Sequence, residues 1–409
     1  MNDTAPAPRS LTAIRWLTFF MFMMFAMTTD SVGVIIPQVI QEFRLSMTVA
    51  GAFHYATMSG IALAGIFLGY LADKLGRKKT IIFGLTLFAL SCYLFAVGRH
   101  FSFFLVLLFF SGIGIGIFKT GALALIGDIT RSTTEHTSTM NTVEGFFAVG
   151  AIIGPAIVAH LMRVGTSWKW LYILAATLCA LLILTAWRVQ YPRTKTTVEK
   201  VDLKRTFGMM RNPYALGFSG AIFLYVVVES AVYVWMPTLL GSDRGAASFI
   251  TAYALSIFFV LRAAGRFVGS WMLAKLNWAA VTTIFSLAIF TCFLLSMVGG
   301  IRTAAYLLPF SGLCMSILYP TINSKGISCF RKAEHGTVSG VILFFTCGAA
   351  VVGPLAMGAI SDRFGDPKYG FILATGFAGL LFLSLLLNWI LNPTREILQK
   401  LDAVEYHAR

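Results

Sequence analysis

Long apolar stretches separated by short polar breaks run along almost the whole chain. A helix that crosses a hydrocarbon core of roughly 30 Å needs about 20 apolar residues. The pattern predicts twelve such helices, numbered here as spans 1 to 12, near residues 14–40, 48–73, 79–98, 103–129, 137–163, 168–190, 213–240, 249–275, 278–299, 303–328, 336–362 and 369–392. We therefore expect an all-α membrane protein.

One break is longer than the others and divides the twelve spans into six and six. It runs near residues 188–212 and carries the basic residues Arg188, Arg193, Lys195, Lys200, Lys204, Arg205 and Arg211. An internal repeat supports this division, because Gly154-Pro155 and Tyr172-Ile-Leu-Ala in the first half recur as Gly353-Pro354 and Phe371-Ile-Leu-Ala at the same separation. The sequence predicts two pseudo-symmetric six-helix bundles, residues 1–190 and 213–409, joined by a linker at 191–212.

Composition and charge narrow the class of protein. Hydrophobic residues make up 57% of the chain and charged residues 12%, a balance that excludes an ordinary water-soluble domain. The net charge of +15 lies in the breaks instead of forming a basic patch with aromatic platforms, so we expect no nucleic-acid partner. Lysine and arginine favour the side that holds both termini and the 188–212 loop. This distribution predicts cytoplasmic termini in a cell inner membrane.

A turn motif lies between spans 2 and 3. Gly69, Asp73, Gly76 and Arg77 fit the pattern G-x-L-x-D-x-x-G-R-(K/R), which resembles the signature of the major facilitator superfamily. The resemblance implies a twelve-helix transporter fold in which this turn belongs to the conformational gate. Physically, we expect a tight turn at Gly76, Asp73 beside a neighbouring helix end, and the cations at the anionic leaflet. An ordinary basic loop is the alternative.

Four further stretches resemble the fucose and glucose proton-symporter branch of that superfamily. They begin at Met140 in span 5, Leu224 in span 7, Ser256 in span 8 and Gly312 in span 10. The resemblance implies proton-coupled uptake of a sugar or sugar-like solute. The Gly154-Pro155 element of span 5 also resembles antiporters, so proton-coupled efflux of a drug or metabolite stays open as an alternative.

Two positions depart from the sugar-symporter pattern. In span 1 the expected aspartate position is Gly33, with Asp30 one turn earlier, and in span 4 Lys119 replaces the acid that the family links to proton coupling. A symport mechanism therefore cannot be copied across unaltered. Lys119 instead suggests that the substrate carries a carboxylate or similar anion.

Ionisable residues inside the spans are the candidate coupling groups. Four of them are predicted near the membrane midplane: Asp30, Lys119, Glu229 and Arg262. Glu144 is predicted nearer the cytoplasmic side. A charged side chain at the bilayer centre costs about 2.5–3.5 kcal/mol. These residues are either pairs that only permit burial, Asp30 with Lys119 and Glu229 with Arg262, or groups that line a central cavity. On the second interpretation Asp30, Glu229 and Glu144 are proton-coupling candidates.

Polar and aromatic side chains at helical spacing complete the predicted substrate site. The candidates are Lys119, Asn141, Glu144, Tyr225, Glu229, Trp235, Arg262, Ser316, Tyr319 and Asn323, with an interfacial position as the alternative for Trp235. The conformational gate is predicted at Gly69, Asp73, Gly76, Arg77, Gly150, Gly154, Pro155, Gly353 and Pro354.

No phosphate-binding loop and no metallohydrolase or serine-hydrolase motif is present in the sequence, so we expect a gradient-driven transporter and not an enzyme. A membrane enzyme or a sensor is the rival class. We expect no cofactor or metal; the partners are the lipid bilayer, protons and a small-molecule substrate, and the chain is expected to be a monomer.

Overall fold

The structure, a computed structural model, describes residues 8–68, 71–130, 133–192, 208–241, 248–331 and 335–405. Within these ranges the chain is helical at every predicted span. The chain divides into two compact units, of which unit 1 is Met1–Leu45 with Ala52–Glu199, and unit 2 is Ser46–Gly51 with Lys200–Arg409.

Unit 1 contains the helices of spans 1 to 6. Their bounds are α1 (Pro8–Thr29 and, after a break, Val32–Phe43), α2 (Ala52–Phe67), α3 (Arg77–Tyr93), α4 (Phe101–Ile129), α5 (Thr133–Arg163) and α6 (Lys169–Arg188). Helix α1 packs on α5, α2 on α4, and α3 on both α4 and α6.

Unit 2 contains the helices of spans 7 to 12. They are α7 (Pro213–Ser230, a π-helical turn Ala231–Trp235, then Met236–Leu240), α8 (Ser248–Lys275), α9 and α10 within Trp278–Met315, α11 (His335–Phe364) and α12 (Pro367–Leu391). Helices α9 and α10 meet at Gly300, whose φ of +78° suits glycine, and α10 resumes as Leu318–Ser328. A further helix, α13, spans Arg395–Glu405.

Ten stretches among the described residues are long and apolar enough to cross a membrane. One of them, Trp278–Ser328, contains both α9 and α10, and α2, which has 16 residues, is not among the ten. The described helices are thus consistent with the predicted twelve.

The prediction of one continuous helix over 48–73 is wrong. The chain there forms a short helix Met47–Ala50, then α2, then a short helix Leu71–Lys74. Ser46 caps the first of these, its hydroxyl accepting the Val49 amide hydrogen at 3.3 Å. The short helix contacts α11 of unit 2, which is why Ser46–Gly51 groups with that unit.

Helix α1 is also interrupted, at Asp30 and Ser31. The hydroxyls of Thr28 and Thr29 both donate to the Phe25 carbonyl, at 2.9 and 3.1 Å, and the Ser31 hydroxyl donates to the Met27 carbonyl at 2.5 Å. Hydroxyls that bond back to the preceding turn compete with backbone amides and bend helices. The Ser31 hydroxyl also provides a hydrogen bond to the Met27 carbonyl, which lies next to the interruption in an apolar environment.

Candidate functional site

The charged centre of unit 2 is an ion pair between α7 and α8. The Arg262 Nη2 atom lies 2.6 Å from Oε1 of Glu229, and only 9% of the Glu229 side chain and 24% of the Arg262 side chain are exposed. The structure thus brings together two residues that the sequence predicted as partners. Paired in this way, both charges avoid the cost of lying alone in an apolar bundle.

Tyr225 adds a third polar group to this pair. Its buried hydroxyl lies 2.9 Å from Glu229 Oε1 and 2.9 Å from the Met315 carbonyl oxygen of α10. One helical turn separates Tyr225 from Glu229, so the predicted i, i+4 relation places both on one face of α7. The Tyr319 ring stands 6.4 Å from the Tyr225 ring, centroid to centroid, and brings α10 to the same cluster.

Close helix packing sets the position of Arg262. One turn after it, Gly265 lies so near the Leu313 carbonyl of α10 that an added Cβ would overlap that oxygen, and Gly312 meets the Phe258 carbonyl of α8 in the same way. Small residues at such crossings let two helix backbones approach. This contact between α8 and α10 therefore fixes Arg262 beside the part of α10 that contains Met315.

The remaining α10 candidates lie around a break in that helix. Pro320 has no amide hydrogen to give to the Ser316 carbonyl, and α10 is interrupted at Ser316 and Ile317. Ser316 is buried, and its hydroxyl donates to the Leu313 carbonyl at 2.8 Å. Tyr319 and Asn323 are half-buried, which leaves part of each side chain accessible.

Trp235 lies at the end of the π-helical turn of α7. It is 1% exposed, and its indole N–H donates to the Pro354 carbonyl of α11 at 3.0 Å. The side chain is thus enclosed between helices of unit 2, which argues against the interfacial alternative. In this arrangement Trp235 supports the contact between α7 and α11.

In unit 1 two of the candidate charges, Asp30 and Lys119, are half-buried. Asp30 lies at the interruption of α1, with Oδ2 3.0 Å from the Thr29 hydroxyl oxygen, whose single hydrogen is shared with the Phe25 carbonyl. The Lys119 ammonium of α4 stands 5.4 Å from the centre of the Phe147 ring of α5. The Asp30–Lys119 pair stays a prediction. Glu144 is exposed, and nothing is described of the Asn141 side chain.

The glycines of span 5 serve the packing of α5 on α1. An added Cβ at Gly150 would overlap the Met23 carbonyl, and one at Gly154 would overlap the Met27 carbonyl. In unit 2 the repeat-related Gly353 of α11 would place a Cβ 3.0 Å from the Val227 side chain of α7. Both Gly-Pro elements thus face the first helix of their own unit, and Pro155 and Pro354 are buried beside them.

The predicted tight turn between α2 and α3 is confirmed at Gly76, where φ is +83°. Arg77 corrects an expectation, because it is 7% exposed and its Nε atom lies 2.9 Å from Oδ2 of Asp128 at the end of α4, instead of facing lipid. Lys78 donates to the Trp187 and Val189 carbonyls, both at 2.8 Å. Gly69 lies outside the described residues, and the Asp73 side chain is not described.

One polar cluster was not predicted from the sequence. The Asp362 carboxylate of α11 accepts hydrogen bonds from the Met47 and Thr48 amides, at 2.7 and 2.8 Å, and from the Thr48 hydroxyl at 2.5 Å. Residues that lie so far apart in the chain carry no joint signal. Serine is a residue type favoured at helix N-caps, so Ser46 is the local signal that could have located this helix start. Among the described residues no three His, Cys, Asp or Glu side chains are placed to hold a metal ion.

Comparisons with known proteins agree with this architecture. The family model of the Major Facilitator Superfamily matches residues 18–354. The chloramphenicol resistance protein CraA of Acinetobacter baumannii (strain ATCC 19606) is 27% identical over 318 residues, which cover 76% of this chain and 75% of the relative. The L-fucose-proton symporter of Escherichia coli (strain K12) is 25% identical over 401 residues, 88% of this chain and 89% of the relative.

A solved structure shows the same fold. The crystal structure of the nucleoside transporter NupG superposes with a TM-score of 0.73 at 16% identity, over 92% of this chain and 98% of that one. The fold, the buried charges and the family match point to the same conclusion. The chain belongs to the major facilitator superfamily and is a multi-pass membrane transporter of small molecules, not an enzyme.

Proposed function

We propose that this transporter moves a sugar-like solute bearing an anionic group by alternating access, and that it couples this movement to protons by symport. The observation that carries the proposal is the Glu229–Arg262 ion pair at 2.6 Å, with the Tyr225 hydroxyl on the same carboxylate oxygen. Ionisable residues that pair inside a bundle of membrane-spanning helices commonly mark the proton pathway of a transporter.

The pair couples two binding events through one charge. When Glu229 takes up a proton it stops compensating the Arg262 guanidinium, whose positive charge then favours an additional anion in this site of low polarity. A carboxylate on the substrate supplies that anion. Proton and substrate therefore favour each other's binding, which is the requirement for symport.

Unit 1 supplies a second candidate cation for an anionic solute, together with a candidate coupling acid. Asp30 lies at the interruption of α1, where the irregular backbone offers polar groups, and Lys119 is half-buried on α4. The 25% identity to the L-fucose-proton symporter supports a polyhydroxylated substrate. The lysine, in place of the acid of that branch's pattern, favours a sugar acid over a neutral sugar.

The experiment that tests the proposal is uptake into proteoliposomes that contain the purified full chain. Labelled sugars and sugar acids are offered with and without an inwardly directed proton gradient, and Glu229→Gln is assayed beside the wild type. We expect gradient-driven accumulation of a sugar acid by the wild type, and in Glu229→Gln exchange without accumulation. Uptake by the wild type that ignores the proton gradient would contradict proton coupling.

A second candidate is proton-coupled efflux of a drug or metabolite. It is favoured by the tight Gly150 and Gly154 packing of α5 on α1 and by the 27% identity to CraA, whose name records chloramphenicol resistance. Cells that express the chain are grown with chloramphenicol beside cells with the empty vector. Resistance, together with no uptake of any sugar or sugar acid, would replace the symport proposal with this one.

Membrane placement forms part of the same proposal. The chain lies in the cell inner membrane with both termini and the 191–212 linker in the cytoplasm, because lysine and arginine are concentrated in those segments. It acts as a monomer, with residues 1–190 and 213–409 as the two moving bundles.

A further inference from the structure

Tyr225 has one hydroxyl hydrogen and two acceptors. Both Oε1 of Glu229 and the Met315 carbonyl oxygen lie 2.9 Å from its oxygen. An ionised carboxylate and a carbonyl can only accept hydrogen bonds. While Glu229 is ionised, the single hydrogen therefore goes to one acceptor or is divided between them, and at most one acceptor receives a full hydrogen bond.

Protonation of Glu229 changes this count. The carboxyl group then has a hydrogen of its own, which it can donate to the Tyr225 oxygen, and Tyr225 is left free to give its hydrogen fully to Met315. Two hydrogens now serve two contacts. The proton enters from water and stays on Glu229, so no covalent bond other than the carboxyl O–H forms or breaks.

The Met315 carbonyl is a sensitive place to receive that hydrogen bond. Met315 is the last residue of its helical segment, and the last carbonyls of a helix have no amide partner within the helix. Beyond it α10 is interrupted at Ser316 and Ile317, and Leu318–Ser328 carries the predicted substrate residues Tyr319 and Asn323. A hydrogen bond to Met315 thus ties α7 to α10 next to the interruption.

On the basis of the symport function proposed above, we propose that Tyr225 is a positioning residue that transmits the protonation of Glu229 to α10. With Glu229 protonated, the Tyr225–Met315 hydrogen bond holds the interruption of α10 in one arrangement. With Glu229 ionised, Tyr225 turns its hydrogen towards the carboxylate. The hydrogen bond to Met315 is then weakened, and the segment Leu318–Ser328 of α10 is held less firmly.

Three charged or titratable side chains lie around Tyr225 and Glu229. Arg262 of α8 contacts the carboxylate, Arg266 of the same helix is close enough to act electrostatically on Tyr225, and Tyr319 of α10 faces the Tyr225 ring.

Hydrogen exchange of the full chain in lipid nanodiscs, without substrate, tests the relay. Amide protection in Leu318–Ser328 is followed across a range of pH and corrected for the intrinsic exchange rate. In the wild type we expect protection to rise about two- to tenfold on protonation, the worth of one net hydrogen bond. Glu229→Gln, whose amide can donate to Tyr225, should stay protected at every pH.

Tyr225→Phe should lose the pH dependence of protection. Its matched control is Tyr306→Phe, the same change on α10 at a residue that is 57% exposed. If Tyr225→Phe keeps the wild-type pH dependence, or the wild type shows none, the relay is wrong. Proton-driven uptake by the wild type is measured separately, so a failed relay with intact uptake leaves the proposed function standing, and absent uptake overturns that function alone.

Discussion

At the scale of single residues, the central feature is the buried ion pair between Glu229 and Arg262. Glu229 is 7% exposed and Arg262 is its cation at 2.6 Å. A buried ion pair adds little net stability, but removal of one partner is costly because the other charge stays buried. Replacement of one partner should therefore lower the free energy of unfolding much more than replacement of both partners.

Arg262→Gln should destabilise the protein by about 3–5 kcal/mol at neutral pH, because Glu229 then lies buried without its cation. The double variant Arg262→Gln with Glu229→Gln should recover most of this loss. Thermal unfolding of the purified variants measures both effects. An equal loss in the double variant would show that the pair is not the cause.

Tyr172 carries a second residue-scale prediction. Its hydroxyl is buried, and no described residue forms a hydrogen bond with it, while the repeat-related Phe371 fills the same place in unit 2 without a hydroxyl. An unmade buried hydrogen bond costs about 1–3 kcal/mol. We expect Tyr172→Phe to leave the unfolding temperature unchanged or raise it and Phe371→Tyr to lower it; a clear loss in Tyr172→Phe would mean that the hydroxyl is satisfied.

At the scale of helices, carbonyl oxygens packed against glycines hold each unit together. In unit 1, α1 and α5 meet at Gly150 and Gly154, and in unit 2, α8 and α10 meet at Gly265 and Gly312. The same helices carry Asp30, Arg262 and Met315. Close packing of these helices therefore determines how accurately the charged groups are placed.

Gly154→Ala should push α5 away from α1, because the new methyl would overlap the Met27 carbonyl and lie 2.6 Å from the Ser31 hydroxyl. Overpacking of this kind costs about 1–3 kcal/mol. Gly145→Ala in the same helix is the control, since a Cβ there meets nothing within 4 Å. Thermal unfolding compares the two; similar unfolding temperatures would show that α1 and α5 are not closely packed at Gly154.

At the scale of the whole molecule, each unit repeats one packing scheme. In unit 1, α1 packs on α5 and α3 on α6, and in unit 2, α7 packs on α11 and the α9–α10 segment on α12. The related helix pairs agree with the internal repeat of Gly154-Pro155 and Gly353-Pro354. Two halves of equal design are what alternating access requires.

The charge distribution predicts the orientation of both halves in the membrane. A fluorescent protein fused after residue 409 should fluoresce, and alkaline phosphatase fused there should be inactive, because both report a cytoplasmic C-terminus. Fusion after residue 166, between α5 and α6, is the control and should give the opposite pattern. Active phosphatase at the C-terminus would reverse the proposed topology.

The sequence alone determined the membrane class and the twelve helices, and it predicted the six-plus-six plan. The length of the apolar stretches and the positions of the basic loops can be read directly from the sequence. Each membrane-spanning helix needs about 20 apolar residues. Helical spacing also predicted that Tyr225 and Glu229 share a face of α7. Glycine readily adopts the positive φ of a tight turn, which predicted the turn at Gly76.

Only the tertiary structure decided which helix faces meet. The approach of Arg262 to Glu229 depends on the packing of α8 against α10, the burial of Arg77 depends on Asp128 at the end of α4, and Asp362 binds the Met47 and Thr48 amides of a segment near the other end of the chain. Met315 takes part through its backbone carbonyl, which every residue possesses, so its sequence identity gave no signal. Contacts between distant segments depend on packing in three dimensions, and a one-dimensional pattern of apolar and polar residues does not specify them.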